Sequence, residues 1–527
     1  MPSPSTARSS AFRPSLRLVH SHSPRFTRGK KIALIIVAAV SVGLLVVLYS
    51  RIWPYSRESV VQDLAEASDS TVTIQAFHKT YFPPGCVVDG LEFRHGPDRF
   101  KLITIQKLIV QGSYIGILRR HVSRIIAIGA KVFIPPFGSR TTFNTQHSET
   151  VIDEIVADGT LVEFEPETPG KKPLQFDVHD ARLSNVRWAQ PITYRLRFHN
   201  PEPPGELSVA GKFGVWTKGH PGDTPLSGDY TLTGADLSVY GGIAGILASK
   251  GKFDGVLQHV TVSGTTDIPD FEVRSGGHKV RLDTRFDAYV DATRGDTFLK
   301  RVEAHWGRTT VIAEGRVAHT DMHKGKFTDL HLSVRNGRIE NILGLFVSEP
   351  RSPMSGETSI EADSELPPGD IPFLQRVKLQ GRFGIQEGNF SKPRTQRDVD
   401  QLSAGARGQD KEDPETVLTD LKGQVVLTGG TAHFSDLSFG IPGANARMYG
   451  TYNIINHKVD LHGKMRVDTR ISKTASGFKA LLLKVMDPIF KKKRKGEIVP
   501  IHISGTYEKP EYGLDLNQPS NQNSPGR

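Results

Sequence analysis

Alternation of apolar and polar residues at every second position is the feature that most constrains the fold of this chain. Successive side chains of a β-strand point to opposite faces, so such alternation predicts strands with one apolar face. Ten apolar residues in three clear stretches define that face: Val280, Leu282, Phe286, Ala288, Val290, Leu330, Leu332, Val334, Val459 and Leu461. About two dozen segments of this kind, separated by turns rich in Gly, Pro, Asn and Asp, predict a mainly β protein with an antiparallel sheet.

Three short segments interrupt the alternation, at residues 114–118, 242–247 and 337–343, and each ends in Ile-Leu. They predict short crossover helices within a degenerate repeat of strands. A sheet with one apolar face has to cover that face. It can fold onto a second sheet, close on itself, or curl into an elongated groove, and the sequence leaves these alternatives open.

A run of 19 uncharged residues, Ile32 to Ser50, predicts the one transmembrane helix of the chain. At 1.5 Å per residue the run spans about 28 Å, close to the thickness of the bilayer hydrocarbon. Basic residues precede it and acidic residues follow it, so the positive-inside rule places the N-terminus in the cytoplasm and the bulk of the chain outside. A cleavable signal peptide and a mitochondrial transit sequence are the alternatives.

The formal net charge of +11 comes from two short basic segments. Residues 1–31 contain seven Arg or Lys residues and no acid, and residues 491–495 contribute five more positive charges. The remainder is therefore close to neutral, which argues against a nucleic-acid partner. The single cysteine, Cys86, excludes an intrachain disulfide.

The sequence thus predicts six regions in chain order. They are a basic cytoplasmic tail (1–31), a transmembrane anchor (32–53), a β-rich region (54–391), a surface insertion (392–416), a C-terminal β region (417–516) and a disordered tail (517–527).

One substantial helix is predicted after the anchor, at residues 474–490, with a wide apolar face followed directly by five basic residues. An amphipathic helix beside a basic cluster is typical of segments that bind an anionic membrane surface. Packing of the helix on the end of the sheet is the alternative. The predicted contact residues for a membrane or protein partner are Phe478, Leu482, Ile489, Lys491, Lys492, Lys493, Arg494 and Lys495.

The one match to a catalytic motif is S-x-x-K at Ser476 and Lys479, which lacks its companion motifs and begins a predicted amphipathic helix. The sequence therefore predicts a protein that is not an enzyme and holds no cofactor. His319, Asp321 and His323 have the spacing to share one strand face and bind a metal ion. A solvated turn explains the same residues equally well, so no metal site is predicted.

Short motifs near both ends of the chain resemble the AsmA-like family of bacterial envelope proteins. The N-terminal motifs are Leu64–Ser68, Thr71–Phe77, Phe82–Gly85 and Val88–Leu91. The C-terminal motifs are Leu421–Gly423, Gly430–Phe434, Ile441–Gly443, Gly450–Tyr452, Gly477–Lys484 and Val499–Gly505.

The resemblance implies a β-groove in the periplasm, anchored in the inner membrane and related to TamB and to bridge-like lipid-transfer proteins. Its implied function is to conduct phospholipid in support of outer-membrane biogenesis and integrity, with the ten apolar residues lining the groove. Phospholipid, the inner membrane and an outer-membrane protein are the implied partners. The alternatives are a scaffold for outer-membrane components that transports no lipid, and an anchored enzyme acting on envelope glycans.

The basic segment generates a first prediction. Replacing Lys491–Lys495 with Gln should weaken binding of the chain to anionic vesicles, since each basic residue near the surface contributes about 1 kcal/mol. Vesicle flotation at low and high salt measures this, with neutral vesicles as the control. Binding that ignores both lipid charge and salt would support the packed-helix alternative.

Overall fold

The structure is a computed structural model that describes residues 40–41, 55–96, 100–119, 121–135, 150–165, 173–187, 189–217, 219–274, 277–320, 323–347, 350–369, 371–391, 400, 419–441, 444–467, 498–506, 509–513 and 515. The chain divides into two units, Met1–Ser56 and Arg57–Arg527, and the second unit contains every strand described. These strands form one 25-stranded sheet. The predicted mainly β fold of about two dozen strands is therefore confirmed.

The N-terminal strands follow a helix, α1 (Arg57–Ser68). Their bounds are β1 (Thr71–Thr73), β2 (Ala76–Tyr81), β3 (Pro84–His95), β4 (Phe100–Gly112), β5 (His121–Ile134), β6 (Val151–Phe164), β7 (Leu174–Val186), β8 (Ile192–Pro201) and β9 (Pro204–Phe213). The short strands β1 and β2 both pair with β3, and they form the N-terminal edge of the sheet.

The central strands continue in chain order, and the very short β11 pairs with β13 beside the main ladder. Their bounds are β10 (Pro225–Asp236), β11 (Ile243–Ala244), β12 (Ile246–Val256), β13 (His259–Val273), β14 (Val280–Asp291), β15 (Asp296–Trp306), β16 (Thr309–Thr320), β17 (His323–Arg338), β18 (Met354–Leu366) and β19 (Lys378–Phe390).

The C-terminal strands complete the sheet, and β25 pairs only with β24 among the residues described. Their bounds are β20 (Thr419–Thr428), β21 (Thr431–Ile441), β22 (Ala444–Asn453), β23 (Val459–Val467), β24 (Ile498–Thr506) and β25 (Lys509–Gly513). The sheet is therefore open, because no described pairing joins its two edges.

The expectation of an antiparallel sheet holds at every described strand pair except one. Strands β5 and β6 are parallel, with Ala127 opposite Ala157. Neighbouring strands elsewhere are joined mainly by short turns, which can only form antiparallel hairpins. Two parallel strands need a connection that brings the chain back to the end of the sheet at which the first strand begins. Residues 135–150, between β5 and β6, are long enough for this.

Two of the three predicted crossover helices are present. They are α2 (Tyr114–Leu118) and α3 (Ile339–Gly344), and a further helix, α4 (Phe373–Arg376), precedes β19. Short 3₁₀ turns occupy Pro221–Asp223 and Leu237–Tyr240.

The prediction of a helix at residues 242–247 is wrong. Ile243 and Ala244 instead form β11, opposite Val273 and Glu272. Gly241 and Gly245 on either side of β11 have positive φ values of 73° and 136°, which a right-handed helix excludes.

Within the described residues, no helix has the length and apolar composition needed to cross a membrane. The predicted anchor, residues 32–53, lies outside these residues except for Val40 and Ser41, which are helical. The predicted insertion 392–416 (apart from Asp400), the helix at 474–490 and the tail at 517–527 also lie outside them. These remain predictions.

The strand ends define two rims of the sheet. The first rim contains the ends at His95, Asp236, Val273 and Trp306, and the second contains Tyr81 and Asp296. Gly242 lies at the first rim after β10, whereas Phe373 lies at the second rim between β18 and β19. In a flat sheet these two residues would be about 35 Å apart along the strands, from rim to rim, and about 34 Å apart perpendicular to the strands.

The structure brings these two positions into contact. A Cβ placed on Gly242 would lie 2.7 Å from Cβ of Phe373, so only glycine allows this approach. At a second approach between the rims, the carboxylate of Glu202 is close enough to Lys326 to act on its pKa. Burial lowers the pKa of Lys326, and the carboxylates of Asp296 and Glu202 act in the opposite direction. The sheet therefore bends until its two rims meet beside the central strands.

The only cysteine of the chain gives a test of the N-terminal ladder. Cys86 on β3 is 0% exposed, and burial raises its pKa to about 12. Only about one thiol in ten thousand would then be ionised at pH 8, and the thiolate is the reactive form. We expect Cys86 to resist an aromatic disulfide reagent until denaturant opens the sheet.

The control for this prediction is Val426→Cys in a Cys86→Ala background, because Val426 is 43% exposed. That thiol should react without denaturant. Equal reaction rates for the two thiols in the native protein would contradict the buried position of β3.

Candidate functional site: the apolar face of the sheet

Residues that pair with one another across successive strands form an uninterrupted row through the sheet. Following the register from β2 to β25 gives 23 residues, which we call the central row: Phe77, Val88, Leu108, Ala127, Ala157, Ala181, Leu196, Val209, Tyr230, Gly251, Gly264, Phe286, Val302, Ala313, Leu332, Ala362, Gly381, Val425, Phe434, Gly450, Leu461, Ile503 and Tyr512. Charged residues make up 23% of the chain. Their absence from the whole row is therefore a property of this face and not of the composition.

All ten apolar residues singled out in the sequence lie on the face that carries the central row. Phe286, Leu332 and Leu461 belong to the row itself. The other seven lie two, four or six positions away from one of these three residues on the same strand. Because side chains alternate with a period of two, they share its face. The structure thus brings residues from β14, β17 and β23 onto one continuous surface.

Aromatic rings cover two of the four glycines of the central row, Gly251 and Gly264, and also cover Gly228 on the same face. A Cβ on Gly264 would lie 2.7 Å from Oη of Tyr230 and 3.0 Å from Cζ of Phe286. A Cβ on Gly251 would lie 2.8 Å from Cε1 of Tyr230, and a Cβ on Gly228 would lie 2.9 Å from Cζ of Phe253. Rings lying over glycines of neighbouring strands cover exposed backbone with apolar surface. We call these ring-covered glycines between β10 and β14 the glycine floor.

The two tyrosine hydroxyls near this floor have partners within the sheet. The Tyr194 hydroxyl donates to the carbonyl oxygen of Ser227 at 3.2 Å, and the Tyr230 hydroxyl lies 3.1 Å from Oγ of Ser249. Burial raises the pKa of Tyr194 to about 12 and also raises the pKa of Tyr230. Both phenols are therefore neutral at physiological pH, and they leave the face without charge.

The opposite face of the same strands is charged. Its side chains form ion pairs between neighbouring strands: Arg124 Nε to Glu154 Oε2 at 2.8 Å, Arg281 Nη2 to Asp267 Oδ2 at 2.9 Å, and Arg382 Nε to Glu361 Oε2 at 3.0 Å. Such exposed pairs contribute about 0–1 kcal/mol each. Their main consequence is that only one face of the sheet is compatible with an apolar ligand.

Most of the predicted lining residues are half-buried, which separates this face from the core of a packed sandwich. Of the ten, Ala288 and Val334 are buried, at 2% and 4% exposure, and the others retain accessible surface. A face covered by a second sheet would bury nearly all of them. The apolar face is therefore only partly covered.

One part of the apolar face is covered locally at the first rim. Val273, Trp306 and Leu345 form a small buried cluster, against which Val280, Leu282 and Ile342 pack. The Trp306 indole Nε1 donates to the carbonyl oxygen of Asn341 in α3 at 3.1 Å. Val280 and Leu282 consequently have a local packing role as well, whereas Phe286 and Leu332 lie along the central row.

The remaining predicted contact residues cannot be placed. Phe478, Leu482, Ile489 and the basic residues 491–495 lie outside the described part of the chain. Among the candidate metal ligands, His319 is held by Asp296, whose Oδ1 lies 2.8 Å from its Nδ1, and Asp321 also lies outside the described part.

Sequence reasoning missed a cluster on the charged face, formed by Asp460, His462 and His502. The Asp-x-His spacing of Asp460 and His462 on β23 is visible in the sequence, and it could have indicated two of the three residues. The second histidine is far along the chain, however, and only the β23–β24 register brings it close.

A second concave region lies on the charged face across β10 to β16, with a volume of about 710 Å³. Asp267 and Asp283 oppose each other there in the register. Arg281 contacts both, at 2.9 Å and 3.4 Å. Arg281, Arg285 and Lys250 together offset the charges of Asp267, Asp283 and Glu303. This region is therefore a balanced part of the charged surface, and the apolar face is the stronger candidate.

No protein-family model, curated protein or solved structure matches this chain.

The glycine floor generates a stability prediction. Gly264→Val should displace the rings of Tyr230 and Phe286 and press on the carbonyl oxygen of Lys250, which lies 2.7 Å from the added Cβ. Overpacking of this kind costs about 1–3 kcal/mol. Thermal unfolding of purified protein measures the loss.

Gly384→Val is the matched control, because Gly384 is a mid-strand glycine on the charged face whose added Cβ meets only Oγ of Ser359, at 3.1 Å. Its unfolding free energy should change by about 0.5 kcal/mol or less. Equal losses in the two variants would show that the rings do not depend on Gly264.

Proposed function

We propose that the sheet forms a curled groove whose apolar face conducts phospholipid acyl chains. The observation that carries this proposal is the central row, which crosses 23 strands without a charged residue. At a strand spacing of about 4.8 Å the row has a contour length of about 105 Å. The meeting of the two rims at Gly242 and Phe373 supports the curled form.

The energetic reason for such a groove is the cost of moving a lipid through water. Exposure of each CH₂ group costs about 0.8 kcal/mol, so a chain of sixteen carbons meets a barrier of about 12 kcal/mol. A continuous apolar floor removes most of that barrier without any catalytic group. The floor has to be continuous, because one charged residue in it would have to lose its hydration as the acyl chain passed.

The cellular setting of the proposal comes from the sequence. The anchor at residues 32–53 holds the protein in the inner membrane, with the sheet in the periplasm. The helix at 474–490 and its basic cluster contact a membrane or an outer-membrane protein. The protein then serves outer-membrane biogenesis and integrity as a phospholipid conduit, in agreement with the resemblance to AsmA-like proteins.

A charge placed in the central row tests conduction. Phe286→Glu puts a carboxylate in the middle of the row, and lipid should then fail to pass this point. Photo-crosslinking residues at Val209 and at Leu461, on either side of the block, report where lipid is present in cells. We expect cross-linked lipid to persist at one site and to be lost at the other.

Tyr289→Glu is the matched control. Tyr289 is also a half-buried aromatic residue of β14, but it lies on the charged face, where it stacks on Phe298 at 4.5 Å. This variant should retain cross-linking at both sites. Circular dichroism confirms that both variants are folded.

Two results would contradict the proposal. Cross-linking at both sites that survives Phe286→Glu would mean that lipid does not travel along the row. Absence of phospholipid from the wild-type protein in cross-linking and native mass spectrometry would instead favour the scaffold function.

A further inference from the structure

The cluster of Asp460, His462 and His502 lies at the C-terminal end of the sheet, on the charged face. His462 of β23 and His502 of β24 are directly opposite each other in the register. Asp460 precedes His462 by two positions and therefore projects from the same face. The neighbours Leu461 and Ile503 belong to the central row, so the cluster is separated from the apolar face by the sheet itself.

The side chains of these three residues converge on one point. Oδ1 of Asp460 lies 2.7 Å from Nε2 of His502 and 3.2 Å from Nε2 of His462. All three ligand atoms lie within 4.8 Å of one another. The two imidazole rings are stacked, with centroids 4.2 Å apart and an interplanar angle of 11°. Both rings thus present the same nitrogen to a shared carboxylate.

A fourth residue orients one of the imidazoles. Oδ2 of Asp515, a buried carboxylate, lies 3.0 Å from Nδ1 of His462. The backbone N–H of Asp515 donates to the carbonyl oxygen of Pro500 at 3.4 Å, which holds it beside β24. A carboxylate that accepts a hydrogen bond from Nδ1–H leaves Nε2 as the nitrogen with a free lone pair. Histidine ligands of metal ions are commonly oriented in this way.

We propose that Asp460, His462 and His502 bind a divalent transition-metal ion of the Zn²⁺ class, with Asp515 as a positioning residue. Two imidazole nitrogens and one carboxylate oxygen form a donor set that suits Zn²⁺ and leaves a coordination position open. Bonds of about 2.1 Å in a tetrahedral site separate the ligand atoms by about 3.4 Å. A bound ion would lengthen the distances of 2.7 Å and 3.2 Å from Oδ1 of Asp460 to that value. It would also tilt the two imidazoles out of their stacked arrangement, because both Nε2 lone pairs have to point at the ion.

The position of the site gives the ion a structural consequence. Strands β23 and β24 flank residues 468–497, which contain the predicted amphipathic helix and basic cluster. An ion shared by these strands would link both ends of this segment. It would also connect them to Asp515, beyond the last strand.

The first test is metal titration of the full-length protein without an affinity tag, after chelator treatment. The probe is Zn²⁺, in competition with a weak chelator that suppresses binding to isolated surface histidines. We expect one tightly bound equivalent. His462→Gln and His502→Gln should abolish it, and Asp515→Asn should weaken it by about 10- to 100-fold.

His331→Gln is the control, because His331 also lies on the charged face, with Asp363 2.7 Å and Glu361 4.0 Å away. Among the residues that the structure describes, no second histidine completes a set there. This variant should bind Zn²⁺ like the wild type. Lack of a tight equivalent in the wild-type protein, or tight binding that survives both His462→Gln and His502→Gln, would overturn the proposal.

X-ray absorption spectroscopy of the Zn²⁺-loaded wild-type protein keeps the test decisive if a variant fails to fold. Outer-shell scattering from two imidazoles is the expected result. A bound ion without imidazole scattering would overturn the assignment.

Discussion

Backbone hydrogen bonding between successive strands is the interaction on which this structure depends. The described residues form one ladder from β2 to β25, and buried clusters such as that of Val273, Trp306 and Leu345 are local additions to it. No disulfide reinforces the ladder, because Cys86 is the only cysteine. The apolar face is half-buried, so it contributes less hydrophobic stabilisation than a fully covered core would. The ladder and the contacts between adjacent strands therefore provide most of the stabilisation of the fold.

This arrangement explains how an accessible apolar face is compatible with a defined fold. In a sandwich, burial of the apolar face selects the register. In this sheet, contacts between neighbouring side chains on the apolar face select the register. Phe286 and Tyr230, which lie over Gly264, are an example. The charged face adds pairs such as Arg281 with Asp267, which also favour one register over its neighbours. Both faces specify the alignment of the strands while one remains available to an apolar ligand.

The extent of sequence-based prediction follows from the range of the interactions involved. Alternation is local, and it identified Phe286, Leu332 and Leu461 as members of one face before their alignment was known. The glycines at positions 241 and 245 explain why a helix was wrongly expected between them. The parallel pairing of β5 and β6 depends on how a long connection returns, which no local pattern encodes. The contact of Gly242 with Phe373 and the pairing of His462 with His502 likewise join residues far apart in the chain.

The parallel step between β5 and β6 has a consequence for where the chain enters and leaves the sheet. In a strictly antiparallel meander, odd-numbered and even-numbered strands run in opposite directions. Whether a strand's number is odd or even (its parity) therefore decides at which rim the next connection emerges. One parallel step inverts this parity for all later strands. As a result, α1 and residues 468–497 join the sheet at the same rim, through Thr71 of β1 and through Val467 and Ile498. A variant lacking a single strand would move the later segment to the other rim, whereas loss of a complete hairpin would shorten the sheet by about 10 Å and leave both attachments on the same side.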